Sequence, residues 1–296
     1  MSVHDRTRTL RIEPLGPSDL IPVFAFLDRD PVLSVYLVAL VLRDALAQPR
    51  DEFWGAWRGG EIVALLHLGA HSGAVLPIGG DPEALADLAE RALARRAFLP
   101  RRFQVIGPRI AVDVFAAHFQ RVGLAPRLHR PQVYMALARG HLPPFERLPE
   151  LRAAGRDDYA LVHESGARLR AEELEEDPRE VDPSQYARRV EDECRDGYTY
   201  LWVESGALQF RASVSARTAD AAQISGVFTP ADRRGRGLAR RGLAELCARL
   251  LEHSQHACLF VNDFNAPAIA LYRRLGFEPR ADWASAFYDT ARPSAR

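Results

Sequence analysis

The spacing of apolar residues changes sharply in the second half of the chain. Residues 223–229 are rich in β-forming side chains, and Pro230 ends that run. From Leu238 onwards the apolar positions follow one face of a helix. They are Ala239, Leu243, Leu246 and Leu250. The pattern predicts a strand, a short turn and then a helix.

The predicted turn is the segment Arg233-Arg234-Gly235-Arg236-Gly237. Glycines let the backbone approach a ligand closely and turn its N–H groups outward. The helix that follows points the positive end of its dipole at the same place. We therefore expect an anion site, for a phosphate or a pyrophosphate. The alternative is an exposed arginine-rich turn without a ligand, since the sequence contains no lysine and arginine density is a weak signal.

A second informative block follows at residues 257–277. Residues 257–261 form a short apolar run that predicts a buried strand. Asn265 is a suitable N-cap, Pro267 falls in the first turn, and Gly276 follows the last turn. We predict a short helix from about residue 266 to residue 275. Asn265 and Tyr272 are two turns apart, so they project from nearly the same face.

The two blocks together resemble the GNAT superfamily of N-acetyltransferases. The order Arg234-x-x-Gly237-x-Ala239 after a strand is similar to the acetyl-CoA pyrophosphate loop of that family. The motif Asn-x-x-Ala-x-x-Leu-Tyr-x-x-x-Gly-Phe, which begins at Asn265, is similar to its last conserved block. The resemblance implies an α/β fold with a mixed sheet, and acetyl transfer from acetyl-CoA to a primary amine by direct attack.

The resemblance also assigns roles to single residues. The backbone of the last strand residues would pair with the pantetheine arm, in a gap where two strands splay apart; these are Val227, Phe228 and Thr229. The loop would bind pyrophosphate through Arg234, Gly235, Arg236, Gly237, Leu238 and Ala239. Asn265 would form a hydrogen bond near the cofactor, and Tyr272 would protonate the departing thiolate. The alternative for Tyr272 is a half-buried core aromatic. No metal is expected.

The general base is not assigned by this pattern. Glu172 and Glu173 are candidates, because the corresponding loop of GNAT folds frames the acceptor site. A solvated acidic face is the alternative for both. Cys247 and Cys258 are expected to be small core residues, since direct attack needs no enzyme nucleophile.

The first half of the chain repeats the order of elements of the second half. Residues 118–124 line up with residues 271–277, which places Phe119 at the position of Tyr272. The segment beginning at Gly79 puts Asp81 where the arginine-rich loop lies. We predict two GNAT-like domains in tandem: a degenerate one at 1–139, a linker at 140–149 and a catalytic one at 150–296. Chance similarity is the alternative.

Composition narrows the classes of function. A formal net charge of +0 and a pI of about 7.1 argue against binding nucleic acid through bulk charge. The three scattered cysteines indicate a reducing compartment. The N-terminus lacks an apolar signal core, and the longest apolar run is too short for a membrane span, so we expect a cytoplasmic protein with no membrane partner. Oligomeric state stays open.

Two other classes of function compete with the enzyme. One is a non-catalytic sensor or scaffold that binds acyl-CoA without turnover. The other is an RNA- or protein-binding surface along residues 233–241, which predicts salt-sensitive binding without a CoA requirement.

Overall fold

The computed structural model describes residues 9–291. The expectation about a signal sequence falls largely on residues 1–8, outside the described residues. Within residues 9–291, no helix has both the length and the apolar character that crossing a membrane requires. The described chain forms two compact units. The first contains residues 9–134, 260–264 and 280–291, and the second contains residues 135–259 and 265–279.

Strands and helices are interspersed along residues 9–291. The first half contains β1 (Arg11–Leu15), α1 (Leu20–Leu27), α2 (Val35–Asp44), β2 (Asp51–Arg58), β3 (Glu61–Gly69), β4 (Ala74–Gly79), α3 (Pro82–Ala94), β5 (Arg102–Pro108), α4 (Arg109–Arg121) and β6 (Leu128–Ala138). The second half contains β7 (Arg152–Ala153), α5 (Tyr159–Leu174), α6 (Pro178–Val181), α7 (Pro183–Asp196), β8 (Thr199–Glu204), β9 (Ala207–Arg217), β10 (Ala221–Phe228), α8 (Leu238–Leu251), β11 (His256–Asn262), α9 (Ala266–Arg274) and β12 (Glu278–Asp289). This is the mixed α/β fold that the sequence predicts.

In the first unit the strand order is β1-β2-β3-β4-β5-β12. All neighbours are antiparallel except β4 and β5, which are parallel. The last strand enters this sheet from the far end of the chain, because Trp283–Asp289 pair with Arg102–Pro108 of β5. Apolar side chains of α3 and α4 close a core over this sheet. They include Leu85, Leu88, Phe115 and Phe119.

In the second unit the strand order is β11-β10-β9-β8-β7, with β10 and β11 parallel and the other pairs antiparallel. Helix α8 approaches β9 closely at Gly242, where an added Cβ would lie 2.4 Å from the Phe210 ring. Helices α5 and α7 share a core with Leu201 and Phe228. The expected domain boundaries stay a prediction.

Residues 140–149 are held within the second unit by a buried carboxylate. Glu245 of α8 is 1% exposed and accepts hydrogen bonds from Arg147 at 2.8 and 3.0 Å and from the Leu148 N–H at 3.0 Å. Desolvation opposes the ionisation of Glu245, but these donors outweigh it and lower its pKa to about 2. The segment that the sequence predicts as a linker is therefore fixed to α8.

Helix α2 begins at Val35, after a separate turn that the Asp30 carboxylate closes by accepting from the Leu33 N–H at 3.1 Å. One local expectation needs correction. The acidic segment expected as a loop is partly helical. Glu172 and Glu173 lie in the last turn of α5, and Asp177 caps the four-residue helix α6.

Candidate active site

Strand β10 leaves its parallel neighbour early. Its register with β11 covers only Ala221–Gln223 against His256–Cys258, although β10 continues to Phe228. On its other side β10 pairs with β9, and a bulge between Ser225 and Phe228 accompanies Gly226 at φ +60°. The backbone of residues 224–228 therefore lies outside the β10–β11 ladder, as expected for a splayed strand.

The end of β10 contains an unsatisfied polar atom. Val227 is half-buried, and Phe228 and Thr229 are 4% and 8% exposed. The Thr229 Oγ1 is buried and has no hydrogen-bond partner among the described residues. A buried hydroxyl without a partner is costly, so this position suits a ligand that supplies a polar group. Val227, Phe228 and Thr229 thus adjoin the loop at the place where the sequence analysis expects the pantetheine arm.

The loop after β10 has the backbone that a phosphate cradle requires. Gly235 and Gly237 have φ of +77° and +78°, a region that side chains disfavour. A Cβ at either position would meet nothing within 4 Å, so the backbone faces open space. Gly237 is the N-cap of α8, and no side chain caps the helix. The amides of Leu238 and Ala239 in that first turn are thus available to an anion.

The arginines of this loop differ in their surroundings. Arg234 donates through Nε to the Thr229 carbonyl oxygen at 3.0 Å and through Nη2 to both carboxylate oxygens of Glu172, at 2.9 and 2.7 Å. Both side chains are about half exposed. Arg236 is exposed, and among residues 9–291 its side chain donates to the Asp232 carbonyl oxygen at 3.3 Å. The loop therefore has one arginine already held in position and one free to move toward a ligand.

Asn265 and Tyr272 occupy the helix that the sequence predicts. The Asn265 side chain accepts from the Ala268 N–H at 3.2 Å, so Asn265 is the N-cap of α9. Gly276 ends that helix with φ of +88°. Tyr272 is 7% exposed and packs against Phe277. Burial is the main cause that raises the pKa of Tyr272, and the charges of Glu173 and Cys247 act in the same direction. The phenol therefore keeps its proton at neutral pH.

Glu173 acts electrostatically on Tyr272. The residue is exposed at the surface, and partial desolvation of its carboxyl by the surrounding protein raises its pKa to about 7. The charge of Glu172 adds to this shift, and that of Arg170 opposes it. Such a carboxyl is divided between its two protonation states at neutral pH. The two candidate bases therefore differ in their surroundings, since the Glu172 carboxylate is paired with Arg234.

Sequence reasoning missed a buried network beneath α5. Arg211 of β9 is 3% exposed and donates to the Val162 carbonyl oxygen at 3.0 Å, to Ser165 Oγ at 3.1 Å and to Glu193 at 3.2 Å. No local sequence pattern predicts these contacts, because the residues come from β9, α5 and α7, which are distant in sequence. Arg189 belongs to the same network, because it pairs with Glu193 one helical turn away. That i,i+4 spacing is the one signal of the network in the sequence.

The two cysteines of this region lie in the core. Cys247 and Cys258 are fully buried, as expected for core residues, and burial raises the pKa of Cys247. Within residues 9–291, no cluster of histidine, cysteine and acidic side chains has the arrangement of a metal site.

Comparison with known proteins agrees with this geometry. Residues 168–277 match the family model described as "Acetyltransferase (GNAT) family", so this segment is a GNAT acetyltransferase domain. The match includes the β10 loop, the Tyr272 helix and the end of α5. No curated protein matches the chain.

Solved structures similar to this chain include GNAT proteins. A GCN5-related N-acetyltransferase from Sphaerobacter thermophilus is 18% identical with a TM-score of 0.58, over 97% of each chain. A tandem GNAT protein from the clavulanic acid biosynthesis pathway is 22% identical with a TM-score of 0.54, over 97% of this chain and 100% of its own. A Drosophila protein is 13% identical with a TM-score of 0.66, over 94% of this chain and 99% of its own. At these identities the likeness concerns the fold.

Proposed function

We propose that this protein is an acetyl-CoA-dependent N-acetyltransferase that acetylates a primary amine by direct attack. The observation that carries the proposal is the uncapped start of α8 behind two left-handed glycines, Gly235 and Gly237. Two glycines in the left-handed region, with open space in front of them, let the backbone N–H groups of this turn approach an anion closely.

The residues at this site fit acetyl-CoA. The first-turn N–H groups of α8, with Arg234 and Arg236, would hold the pyrophosphate. The free backbone of β10 and the unpartnered Thr229 hydroxyl would face the pantetheine arm, and Asn265 would lie near it. When bound, acetyl-CoA supplies the activated acyl group, while the protein supplies orientation and electrostatics.

Two side chains, Glu173 and Tyr272, would transfer protons during the reaction. Glu173 would accept a proton from the acceptor ammonium, because its pKa of about 7 allows it to be ionised at working pH and still to bind a proton. Tyr272 would donate its phenolic proton to the departing thiolate, because its raised pKa keeps it protonated. The second proton, which the attacking nitrogen loses as the amide forms, would restore the phenol. Cys247 needs no role as a nucleophile.

Thermal melting with and without acetyl-CoA tests the cofactor site. A ligand at about 100 times its dissociation constant stabilises the fold by ~2.7 kcal/mol, which is a readily measured rise in Tm. Release of free thiol on adding a panel of amines then tests turnover, with CoA as the control that stabilises without releasing new thiol. No change in Tm would contradict the cofactor site. Stabilisation without thiol release from any amine would favour the acyl-CoA sensor or scaffold instead.

The remaining expectations complete the proposal. The protein would act in the cytoplasm on an amine acceptor, without nucleic acid or membrane partners. The first half would be a degenerate GNAT-like domain that binds no cofactor. The supporting observation is that Phe119, at the position matching Tyr272, is 1% exposed and packs against the rings of Phe103, Phe115 and Tyr288.

A further inference from the structure

Glu172 joins the end of α5 to the loop that follows β10. Its two carboxylate oxygens accept from Arg234 Nη2 at 2.9 and 2.7 Å, across 62 residues of sequence. Arg234 Nε donates to the Thr229 carbonyl oxygen at 3.0 Å, and the guanidinium carbon lies 5.8 Å from the centroid of the Phe228 ring. A carboxylate, a carbonyl oxygen and an aromatic face therefore hold this long side chain together.

These contacts use only part of the Arg234 guanidinium, which has five N–H donors. Nε is bound to Thr229 and Nη2 to Glu172, whereas Nη1 forms no hydrogen bond with residues 9–291. The Arg234 side chain is 49% exposed, so a ligand can reach it from solvent. Arg234 is therefore fixed in position and can still donate two hydrogen bonds to an anion.

The stability of α5 does not explain the position of Glu172. The last turn of a helix favours cations, because the carbonyl end of the helix dipole is negative. Glu172 and Glu173 lie in the last turn of α5, a turn that contains no basic residue. An exposed ion pair such as that of Glu172 with Arg234 also adds little stability by itself. The acidic residue at this helix end therefore favours a role beyond the helix.

We propose that Glu172 is a positioning residue that holds Arg234 ready for the pyrophosphate of acetyl-CoA. This inference rests on the proposed function, because it concerns the same cofactor site. An arginine that is already held loses less side-chain freedom when it binds an anion. Glu172 occupies Nη2 and the pyrophosphate would take Nη1, so the two anions would share one cation without contact. Solvent weakens their repulsion, since both protein side chains are about half exposed.

The test compares acetyl-CoA with S-acetylpantetheine, which has the same thioester and lacks the pyrophosphate. Calorimetry measures both dissociation constants for wild type and Glu172→Ala. Acetyl-CoA affinity should fall by about 2–10-fold in the variant, the usual cost of immobilising one long side chain. S-acetylpantetheine affinity should stay unchanged. At alkaline pH, where Glu173 is ionised in both proteins, the loss should appear in the KM for acetyl-CoA, with kcat nearly constant.

A double-mutant cycle shows whether Glu172 acts through Arg234. Arg234→Gln should lower acetyl-CoA affinity by itself, and adding Glu172→Ala to it should cause no further loss. Asp232→Asn is the matched charge control. Asp232 is a carboxylate beside the same loop, 76% exposed in its side chain and 3.7 Å from Arg233 Nε. Its neutralisation should leave acetyl-CoA affinity unchanged or slightly higher.

Equal acetyl-CoA affinities of wild type and folded Glu172→Ala would overturn the inference and retain the proposed cofactor site. Tighter binding by Glu172→Ala would overturn it too, because Glu172 would then compete with the pyrophosphate for Arg234. Equal weakening of acetyl-CoA and S-acetylpantetheine would assign Glu172 to the fold instead.

The same measurements separate this inference from the proposed function. Acetyl-CoA binding that depends on Glu172, without acetyl transfer to any amine, would refute the transferase and retain the positioning role. A wild-type protein that binds no acetyl-CoA would refute the cofactor site, and the positioning role with it.

Discussion

Helices α3 and α8 each follow a strand and a glycine-containing turn, yet they begin in opposite ways. At α3, the Asp81 carboxylate accepts from the N–H groups of Glu83 and Ala84 at 3.1 and 3.2 Å and also pairs with Arg58. At α8, the N-cap is Gly237, which has no side chain to satisfy the first turn. The first helix supplies its own anion, and the second leaves the same position for an external one.

Phe119 and Tyr272, which the sequence comparison places at matching positions, also differ in polarity. Phe119 packs edge-on against Phe103 and Tyr288, in a core that needs no polar group. Tyr272 carries a hydroxyl that is influenced by the charge of Glu173, a carboxyl whose pKa is raised to about 7. In the proposed mechanism the aligned position would therefore serve packing in one region and proton transfer in the other. Tyr272→Phe and Gly237→Asp each give the second region the side chain type found at the matching position of the first.

The largest effect is expected when Tyr272 is given the side chain of its counterpart. Tyr272→Phe removes an acid that acts in the transition state, so kcat should fall by about 10²–10⁴-fold while acetyl-CoA affinity stays nearly constant. Steady-state kinetics and calorimetry measure the two quantities. Tyr288→Phe is the control, since its buried hydroxyl has no partner among the described residues. Normal turnover in Tyr272→Phe would make Tyr272 a packing residue like Phe119.

The next effect concerns the carboxyl beside that hydroxyl. Glu173 must be ionised to accept a proton, so kcat/KM should rise with pH through about 7 and then level off. Glu173→Gln should remove this inflection and lower kcat by about 10²-fold, the smaller end of general base effects. Glu172→Gln is the neighbouring control and should keep the inflection but move it to lower pH, because the charge of Glu172 contributes to the raised pKa of Glu173. A pH profile that Glu173→Gln leaves unchanged would assign the proton transfer to another group or to water.

A smaller effect is expected when α8 receives the carboxylate of α3. Gly237→Asp places a negative charge at the pyrophosphate, and a like charge at 4 Å costs about 1–4 kcal/mol near a protein surface. Acetyl-CoA affinity should therefore fall by about 10–100-fold. Gly237→Asn is the control for left-handed strain, because asparagine tolerates that backbone and carries no charge. Equal acetyl-CoA affinities of folded Gly237→Asp and Gly237→Asn would mean that the pyrophosphate does not bind at this loop.

Local features of both regions could be predicted from the sequence. Asp81, Asn265 and Gly276 each mark a helix end, because caps depend on a few consecutive residues. The splayed strand and the glycine loop were also expected, from their resemblance to the GNAT family. Helix α1 was missed because its segment, LIPVFAFL, is apolar almost throughout and shows no helical period.

Contacts between distant segments could not be predicted. Glu172 and Arg234 meet across 62 residues, and the choice of Glu173 as base depends on desolvation by elements that the chain order does not reveal. The pairing of Trp283–Asp289 with β5 is similar, since a strand pattern does not specify its partner. Caps follow from local sequence, whereas electrostatics and strand partners follow from the assembled fold.

The smallest effect concerns Asp81, and it decides whether the cap alone distinguishes the two regions. Asp81→Ala should lower stability by about 1 kcal/mol, the usual cost of a lost N-cap. Desolvation opposes the ionisation of Asp81, but the Ala84 N–H and Arg58 outweigh it and lower its pKa. The Asp81 contribution is therefore present above the ordinary pKa of about 3.9 and disappears as pH falls through the lower folded value. Wild type and Asp81→Ala should converge in acid, as denaturant titrations at neutral and low pH would measure.

Removing the cap should still not create a second cofactor site. Gly79 ends β4 with φ of +144°, and a Cβ there would lie 2.7 Å from the Ala64 Cβ, so the chain that enters this turn is packed against β3, whereas a Cβ on Gly80 would meet nothing within 4 Å. The turn before α8 faces open space at Gly235 and Gly237. Calorimetry should give one acetyl-CoA per chain for both wild type and Asp81→Ala. Two per wild-type chain would contradict a non-binding first half. A second site in Asp81→Ala alone would mean that one carboxylate, rather than the packing of the turn, keeps acetyl-CoA out of the first region.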